Sequence, residues 1–443
     1  MSPISGAVFH RQLTKELASA VNAEGIWITD AEGRRFIDGS GGPLVVNVGH
    51  GRAEIAQAVA NQIATCDYVH PTMFTGEPVE TLAARLAILA PSGIERFYFM
   101  TSGSEAVETA VKLARQIHLE KGEANRYRLI SRWKSYHGLS MGALAATGRT
   151  GFRTPFAPML PENHHIPAPY CYRCSFGLTH PACGLRCAEV LEELILDLGP
   201  GTVSAFLAET VSGATIAAVL PPEGYFQRIR EICDRYGVLL ILDEVLCGLG
   251  RTGRWFASEL YDVIPDLVAM GKGLAGGTIG LSAVGVQGRW FDAIREGSGA
   301  FAHGGTFSHH QVGCAAGNAV LDILERETLV PRVAELGAKL GEMLHQRLDG
   351  HPHVGDIRGT GFLWGVEFVV DRDQRKPFPR KAKVAERIWD HLYANGVLLY
   401  KAMGLNGIDG DAMVVGPPFI ITEEDMQRIV DALGAAIDAE LGG

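Results

Sequence analysis

The 443-residue sequence has no long apolar run and no dense block of basic residues. No stretch of about 18 consecutive apolar residues occurs, which is the length a helix needs to span a bilayer. The 40 lysines and arginines stand against 50 acids, so the net charge is −10, and the basic residues are scattered. We therefore expect no membrane segment, and neither nucleic acid nor an anionic membrane as the main partner.

Low-complexity tracts, internal repeats and an export pattern are also missing. The first twenty residues lack the basic-then-apolar layout of a secretion signal, so we expect a soluble, cytoplasmic protein. No G-x-G-x-x-G follows the first strand-like run, which argues against a dehydrogenase. The stretch "MGKGLAGG" lacks the spacing of a phosphate-binding loop.

Cysteine is scarce, with eight residues in the whole chain, and we expect free thiols rather than disulfides. Four of them fall in "YCYRCSFGLTHPACGLRC", at Cys171, Cys174, Cys183 and Cys187. Thiolate pairs at such spacing can close a tetrahedral zinc site. The gap between the pairs is, however, shorter than the roughly 12–20 residues typical of zinc ribbons. A structural zinc and a loop with four free thiols both stay open.

Helical stretches alternate with short apolar runs from about residue 75 to 322. The runs are "RFYFM", "YRLIS", "SAFLAE", "VLLILD", "LVAM" and "SAVGV". This alternation predicts an α/β fold in which helices sandwich a mostly parallel sheet. We predict an N-terminal segment (1–70), a large domain (71–322) and a smaller α+β domain (323–443). A hairpin in "GIWITDAEGRRFIDG" would join the N-terminal segment to that smaller domain.

Polar side chains follow five of these predicted strands, where an open parallel sheet binds ligands. They are the Ser102–Gly103–Ser104 turn, Tyr136 with His137, Glu209, Asp243 and Lys272. Individually each has a plainer interpretation: an N-cap serine, a core aromatic or a structural ion pair. Together they suit a planar, phosphorylated ring that forms a Schiff base with a lysine, such as pyridoxal 5′-phosphate.

This interpretation explains why a carboxylate ends the apolar run 238–242. Burying a charge is costly unless it is paired. Asp243 would pair with the protonated pyridine nitrogen, which lowers the cost and keeps the ring an electron sink. Lys272 would hold the aldehyde and then act as the base that moves a proton.

The motifs "LLILDEVLCGLGRTG" and "MGKGLAGG" resemble those of the class III, omega-type aminotransferases among the fold type I pyridoxal-phosphate enzymes. The resemblance spans almost the whole chain. It includes "SGSEAVETAVKLAR", "SYHG", "AETV", "GGTFSHH", "DIRGTGFLWGVEF" and "VGPPFIITEED".

The resemblance implies a role for each motif residue. Lys272 would be the Schiff-base lysine and Asp243 the partner of the pyridine nitrogen, while Val245 and Tyr136 would cover the two ring faces. The phosphate would lie on Ser102, Gly103 and Ser104. Glu209 would lie near the phenolic oxygen of the cofactor, and His137 would support the tyrosine turn. Thr306 would reach the phosphate of a neighbouring subunit, which implies a homodimer whose pairing into tetramers stays open.

The implied reaction is a ping-pong transfer of an amino group from an amine or omega-amino donor to a 2-oxo acid, with pyruvate expected. The same cofactor chemistry also serves racemases, decarboxylases and lyases, which stay open as alternatives.

Two positions depart from the family pattern. Leu44 stands where many relatives have a tryptophan, which predicts a roomier pocket. Asp409 stands where keto-acid users often have an arginine that grips the substrate carboxylate. An acid there would attract a second amino group on a basic donor, and Lys401 or Arg153 would have to supply the missing positive charge.

Overall fold

The computed structural model describes residues 6–442, which form β-strands, α-helices and short 3₁₀ helices. The strands are β1 (Ala20–Glu24), β2 (Trp27–Asp30), β3 (Arg35–Asp38), β4 (Ile94–Met100), β5 (Arg128–Arg132), β6 (His164–Ile166), β7 (Val203–Glu209), β8 (Leu239–Asp243), β9 (Leu267–Met270), β10 (Ser282–Gln287), β11 (Val354–Thr360), β12 (Leu363–Asp371), β13 (Lys376–Pro377), β14 (Val397–Leu398), β15 (Tyr400–Asn406) and β16 (Asp409–Val415). The helices are α1 (Gly41–Leu44), α2 (Ala53–Cys66), α3 (Glu77–Leu89), α4 (Gly103–Glu120), α5 (Met141–Ala146), α6 (Thr150–Arg153), α7 (Arg186–Leu198), α8 (Tyr225–Tyr236), α9 (Gly288–Glu296), α10 (Gln311–Arg326), α11 (Leu329–Leu348), α12 (Val384–Ala394) and α13 (Glu423–Leu441). No helix within residues 6–442 is both long and apolar enough to cross a bilayer.

The central sheet has seven strands in the order β4-β10-β9-β8-β7-β5-β6. The pairs from β9 to β6 are parallel, and β10 runs antiparallel to both of its neighbours. All six apolar runs singled out in the sequence form strands of this sheet, so the predicted α/β fold is confirmed. The short strand β6 carries too weak an apolar signal to have been predicted.

The middle strands are apolar without interruption because helices cover both faces of the sheet. Ala205 and Leu207 of β7 pack with α4 and α5, whereas the alternate residues Phe206 and Ala208 pack with α7 and α8. Each large apolar side chain buried in this way contributes about 2 kcal/mol. A strand covered on both faces has no solvent side, so a charge at its end requires a specific reason.

The N-terminal hairpin and the C-terminal third share a second sheet. The antiparallel pair β2–β3 confirms the predicted hairpin, and β3 pairs in parallel with β14. The C-terminal strands form a third sheet in the order β11-β12-β16-β15, with β13 beside β12. The predicted boundary at residue 322 falls inside α10, which packs on α2 and α3, so the domain division stays a prediction.

The buried Arg251 ties the loop after β8 to the C-terminal third of the chain. Its side chain is 2% exposed, and burial lowers its pKa to about 9. One guanidinium nitrogen donates to three backbone carbonyls, those of Phe362, Gly416 and Pro417, at 2.7–3.2 Å. The arginine therefore serves as a hydrogen-bonded cross-link between segments far apart in sequence.

We expect Arg251→Met to lower the free energy of unfolding by about 3 kcal/mol, because it leaves buried carbonyls without a donor. Thermal unfolding of the purified variant measures the loss. Arg295→Met is the matched control, since that side chain is 57% exposed and its loss should cost less than about 0.5 kcal/mol. Equal shifts in the two variants would contradict the cross-linking role.

Candidate active site

A cavity of about 170 Å³ lies at the carboxyl ends of the parallel strands. Nine predicted site residues line it: Ser102, Gly103, Ser104, Tyr136, His137, Glu209, Asp243, Val245 and Lys272. Four others do not line it: Leu44, Arg153, Thr306 and Asp409. The strand-end residues therefore converge, while the three residues expected at the substrate lie elsewhere, as does Thr306, which was expected at the phosphate of a neighbouring subunit.

Asp243 ends β8 and is 5% exposed, and each of its carboxylate oxygens has a polar partner. Its Oδ2 lies 2.7 Å from His137 Nδ1, and its Oδ1 accepts from the Val245 N–H at 3.0 Å. The histidine fixes the carboxylate and offsets part of its desolvation. The sequence had suggested only that His137 supports the tyrosine turn, and gave no sign of this direct contact.

The neighbouring acid, Glu244, points away from the cavity. It accepts from the N–H groups of Ala257 and Ser258 at 2.6 and 2.8 Å, and from the Thr210 hydroxyl at 3.0 Å. Burial raises its pKa to about 7. The two adjacent acids thus have separate tasks, because successive side chains of a strand face opposite ways.

Lys272 begins a short 3₁₀ helix after β9 with a left-handed backbone, φ 45°. Such a conformation costs a non-glycine residue about 1–2 kcal/mol and is concentrated at functional sites. Its amine has no hydrogen bond or ion pair with the described residues. Burial lowers the pKa of this amine to about 8. At pH 7 about a tenth of the amine is therefore neutral, compared with under a thousandth for an ordinary lysine.

The N-terminus of α4 forms one wall of the cavity. Ser102 is its N-cap and makes a capping box with Glu105, so the plainer interpretation of this serine also holds. The N–H groups of Gly103 and Ser104 have no acceptor within the helix. A Cβ on Gly103 would lie 2.8 Å from Val245 Cγ1, so only glycine permits this close approach. Exposed N–H groups at the positive end of a helix are a ready site for a phosphate.

Glu209 and Tyr136 complete the lining and contact each other. Glu209 accepts from the Tyr136 N–H at 3.1 Å and from the Gly213 N–H at 3.3 Å. Burial raises the pKa of Glu209 and also that of the Tyr136 phenol. The Tyr136 ring packs edge-on against Phe152, with centroids 6.0 Å apart.

The residues expected at the substrate have other partners. Leu44 is buried in an apolar cluster with Val414, so it does not widen the cavity. The guanidinium of Arg153 donates to the backbone carbonyls of Leu144, Ala145 and Thr147 at the end of α5. Those carbonyls lack helical donors, which explains what holds the arginine there.

Asp409 and Lys401 belong to the β15–β16 hairpin and turn away from the cavity. The Asp409 carboxylate accepts from the Arg380 N–H at 2.8 Å. The Lys401 amine lies 4.1 Å from the centroid of the Trp389 ring. Neither side chain contributes its charge to the cavity lining, because hairpin alternation directs it elsewhere.

Thr306 is exposed and lies in a turn between α9 and α10, outside the lining of the cavity. Its neighbour Phe307 is 52% exposed and packs edge-on against Tyr68, with centroids 6.1 Å apart.

The four clustered cysteines line one small cavity of about 20 Å³ and are not linked by disulfides. Burial raises the pKa of the Cys187 thiol to about 12. Within residues 6–442, no group of three or more candidate ligands has an arrangement that could hold a metal ion. The geometry of the loop therefore gives the zinc alternative no support.

The cavity residues fit pyridoxal 5′-phosphate. An unpaired buried amine suits its aldehyde, and free N–H groups at a helix N-terminus suit its phosphate. A buried carboxylate suits a cationic ring nitrogen, and a tyrosine suits a ring face. Each chemical feature of the cofactor thus has a matching group on a different strand end.

Comparisons with known proteins agree with this arrangement. A family model described as aminotransferase class-III matches residues 8–437. The diaminobutyrate–2-oxoglutarate transaminase of Halomonas elongata is 38% identical, covering 94% of this chain and 89% of that protein. The putrescine–pyruvate aminotransferase of Pseudomonas aeruginosa is 33% identical, covering 97% and 92%. The solved omega transaminase from Pseudomonas jessenii, in complex with PMP, matches with a TM-score of 0.93 at 30% identity, covering 99% and 97%.

We expect the rate at which Lys272 of the apoenzyme condenses with added pyridoxal phosphate to rise with pH and level off above about 8. Only the neutral amine attacks an aldehyde, so the rate should rise about tenfold per pH unit below that value. Borohydride trapping at timed intervals measures it, with Lys272→Ala as the control for reaction at other lysines. A rate that keeps rising beyond pH 10 would contradict the lowered pKa.

Proposed function

The chain belongs to the class III aminotransferases, and we propose that it transfers an amino group from an amine or omega-amino donor to a 2-oxo acid, with pyruvate as acceptor. Enzymes of this family use pyridoxal 5′-phosphate. One observation carries the proposal: a single cavity contains an unpaired buried lysine, a carboxylate held by a histidine and a helix N-terminus.

Each part of the cofactor has residues that would hold it. The N–H groups of Gly103 and Ser104 would bind the phosphate, and Asp243 would pair with the ring nitrogen. Tyr136 and Val245 would pack on the ring. When bound, the cofactor supplies an aldehyde for the amino group and a ring that withdraws electrons from the breaking bond.

The chain's own groups manage the proton and the charge. The Lys272 amine, with its pKa near 8, takes a proton from the donor carbon and later returns one, as a general base and acid do. His137 holds the Asp243 carboxylate in place, so that it would lie next to the ring nitrogen. Asp243 is 5% exposed, and this burial strengthens its electrostatic interactions.

The names of the two relatives differ in acceptor, so family membership alone does not select pyruvate. A preference for a second amino group on the donor had rested on Asp409, whose carboxylate already accepts from Arg380. We therefore propose donors with a primary amine and without a required second charge.

We expect Lys272→Ala to abolish transfer and Asp243→Asn to lower kcat by about a hundredfold or more, because each removes a group that acts in the transition state. Absorbance spectra during titration with a panel of amines, followed by pyruvate, measure both half-reactions. Glu244→Gln is the matched control: it should lower the melting temperature and leave the turnover of loaded enzyme unchanged. Consumption of an amine without any need for a 2-oxo acid would favour a decarboxylase, lyase or racemase instead.

We also propose a homodimer in which Thr306 of one subunit reaches the phosphate site of the other. A symmetric dimer would then have two composite sites. Lys272→Ala and Thr306→Glu should each inactivate their own homodimers. Mixed dimers should regain about a quarter of the wild-type activity, since one site in each mixed dimer is intact and half the dimers are mixed.

Refolding or subunit exchange of the two inactive variants, followed by an activity assay, measures the recovery. Two Lys272→Ala preparations mixed together are the control. No recovery despite demonstrated exchange would contradict the shared site.

A further inference from the structure

The proposed acceptor carries a carboxylate, but the lining of the cavity contains a single cation, Lys272. That amine is needed for the chemistry. The two cations suggested by the sequence are engaged elsewhere, Arg153 at the end of α5 and Lys401 at Trp389. A substrate carboxylate buried near Glu209 and Asp243 would need another positive charge.

Arg149 lies outside the lining of the cavity and is separated from Tyr136 by the Phe152 ring. Its guanidinium carbon is 4.5 Å from the centroid of the Phe152 ring, and that ring packs on Tyr136. One guanidinium nitrogen donates to the Met403 carbonyl of β15 at 3.0 Å. Arg149 is thus held between the Tyr136 side of the cavity and the β15–β16 hairpin.

Arg149 lacks an acidic partner among residues 6–442, although it is partly buried. Its neighbour Arg380 is different, because that guanidinium pairs with Glu386. Arg11 adds a second positive charge and lies 5.5 Å from the same Phe152 ring. Burial lowers the pKa of Arg149, and the neighbouring charges of Arg11 and Arg380 lower it further.

Most hydrogen-bond donors of the Arg149 guanidinium have no acceptor among residues 6–442. A guanidinium has five N–H donors, and the Met403 carbonyl uses one of them. The remaining donors can form the paired hydrogen bonds that a carboxylate accepts best. Its contact with the Phe152 ring and its hydrogen bond to Met403 restrict the side chain, so less side-chain entropy is lost when an anion binds.

We propose that Arg149 binds the carboxylate of the 2-oxo acid acceptor, with Arg11 adding to the local positive charge. This inference rests on the proposed aminotransferase function. It assigns to Arg149 the task that an arginine near the Gly410–Asp411 pair would have in keto-acid users of the family. Arg149 approaches the site from the loop after α5 rather than from the β15–β16 hairpin.

The test separates the two half-reactions in the holoenzyme. Arg149→Met should raise KM for pyruvate about ten- to hundredfold, the range expected for losing hydrogen bonds to a charged group. Arg149→Lys should give a KM for pyruvate between those of the wild type and Arg149→Met. Lysine keeps the positive charge but cannot form the paired hydrogen bonds of a guanidinium. With propanal as acceptor, and in the first half-reaction with a primary amine, Arg149→Met should match the wild type, since neither compound carries a carboxylate.

A binding measurement adds a readout that does not depend on turnover. Propanoate is an unreactive carboxylate of similar size, and calorimetry gives its Kd for the wild type and for Arg149→Met. The Kd should rise by a factor similar to the KM for pyruvate. An unchanged Kd for propanoate would overturn the proposal.

Two further outcomes would also overturn it. If Arg149→Met slowed the reactions with propanal and pyruvate equally, Arg149 would only support Tyr136 through Phe152. If Lys401→Met raised KM for pyruvate and Arg149→Met did not, the hairpin lysine would be the anchor. A wild-type enzyme that fails the amine half-reaction would instead contradict the proposed function, and this is visible before any Arg149 variant is tested.

Discussion

The site depends on one costly arrangement, a carboxylate kept at the buried end of a strand. Asp243 stays there because His137 and a backbone N–H hold both of its oxygens. The register of the sheet then determines its surroundings. In the parallel pair β7–β8, Glu209 lies directly beside Asp243, so two acids end side by side at one edge of the sheet. The electrostatics of the cavity follow from this pairing of strand ends.

Close approach of the backbone is the second requirement. The absence of a side chain at Gly103 lets Val245 and the first turn of α4 share the cavity wall. The free N–H groups of the helix therefore point into the same small volume as the lysine and the carboxylate. A helix dipole, a carboxylate and an amine brought together in a buried site interact more strongly than they would in water.

The sequence predicted the sheet and the cavity lining because both depend on local signals. Apolar runs, strand ends and glycine-flanked motifs are read over a few residues, and nine of the expected residues meet in one cavity. Asp409 and Arg153 lie outside this lining, because their direction depends on which backbone groups a hairpin or a helix end leaves unpaired. Nor does the sequence predict the contact of Arg149 with Met403 of β15, because the two residues are 254 positions apart.

The pairing of β3 with β14 has a consequence for how the chain folds as it is synthesised. Ile37 lies opposite Val397, so the outer strand of the second sheet must wait until nearly the whole polypeptide has been made. The central sheet, built from residues 94–287, can assemble earlier. The β1–β3 segment therefore presents an unpaired edge during translation, and completing the last sheet closes one of the longest loops in the molecule.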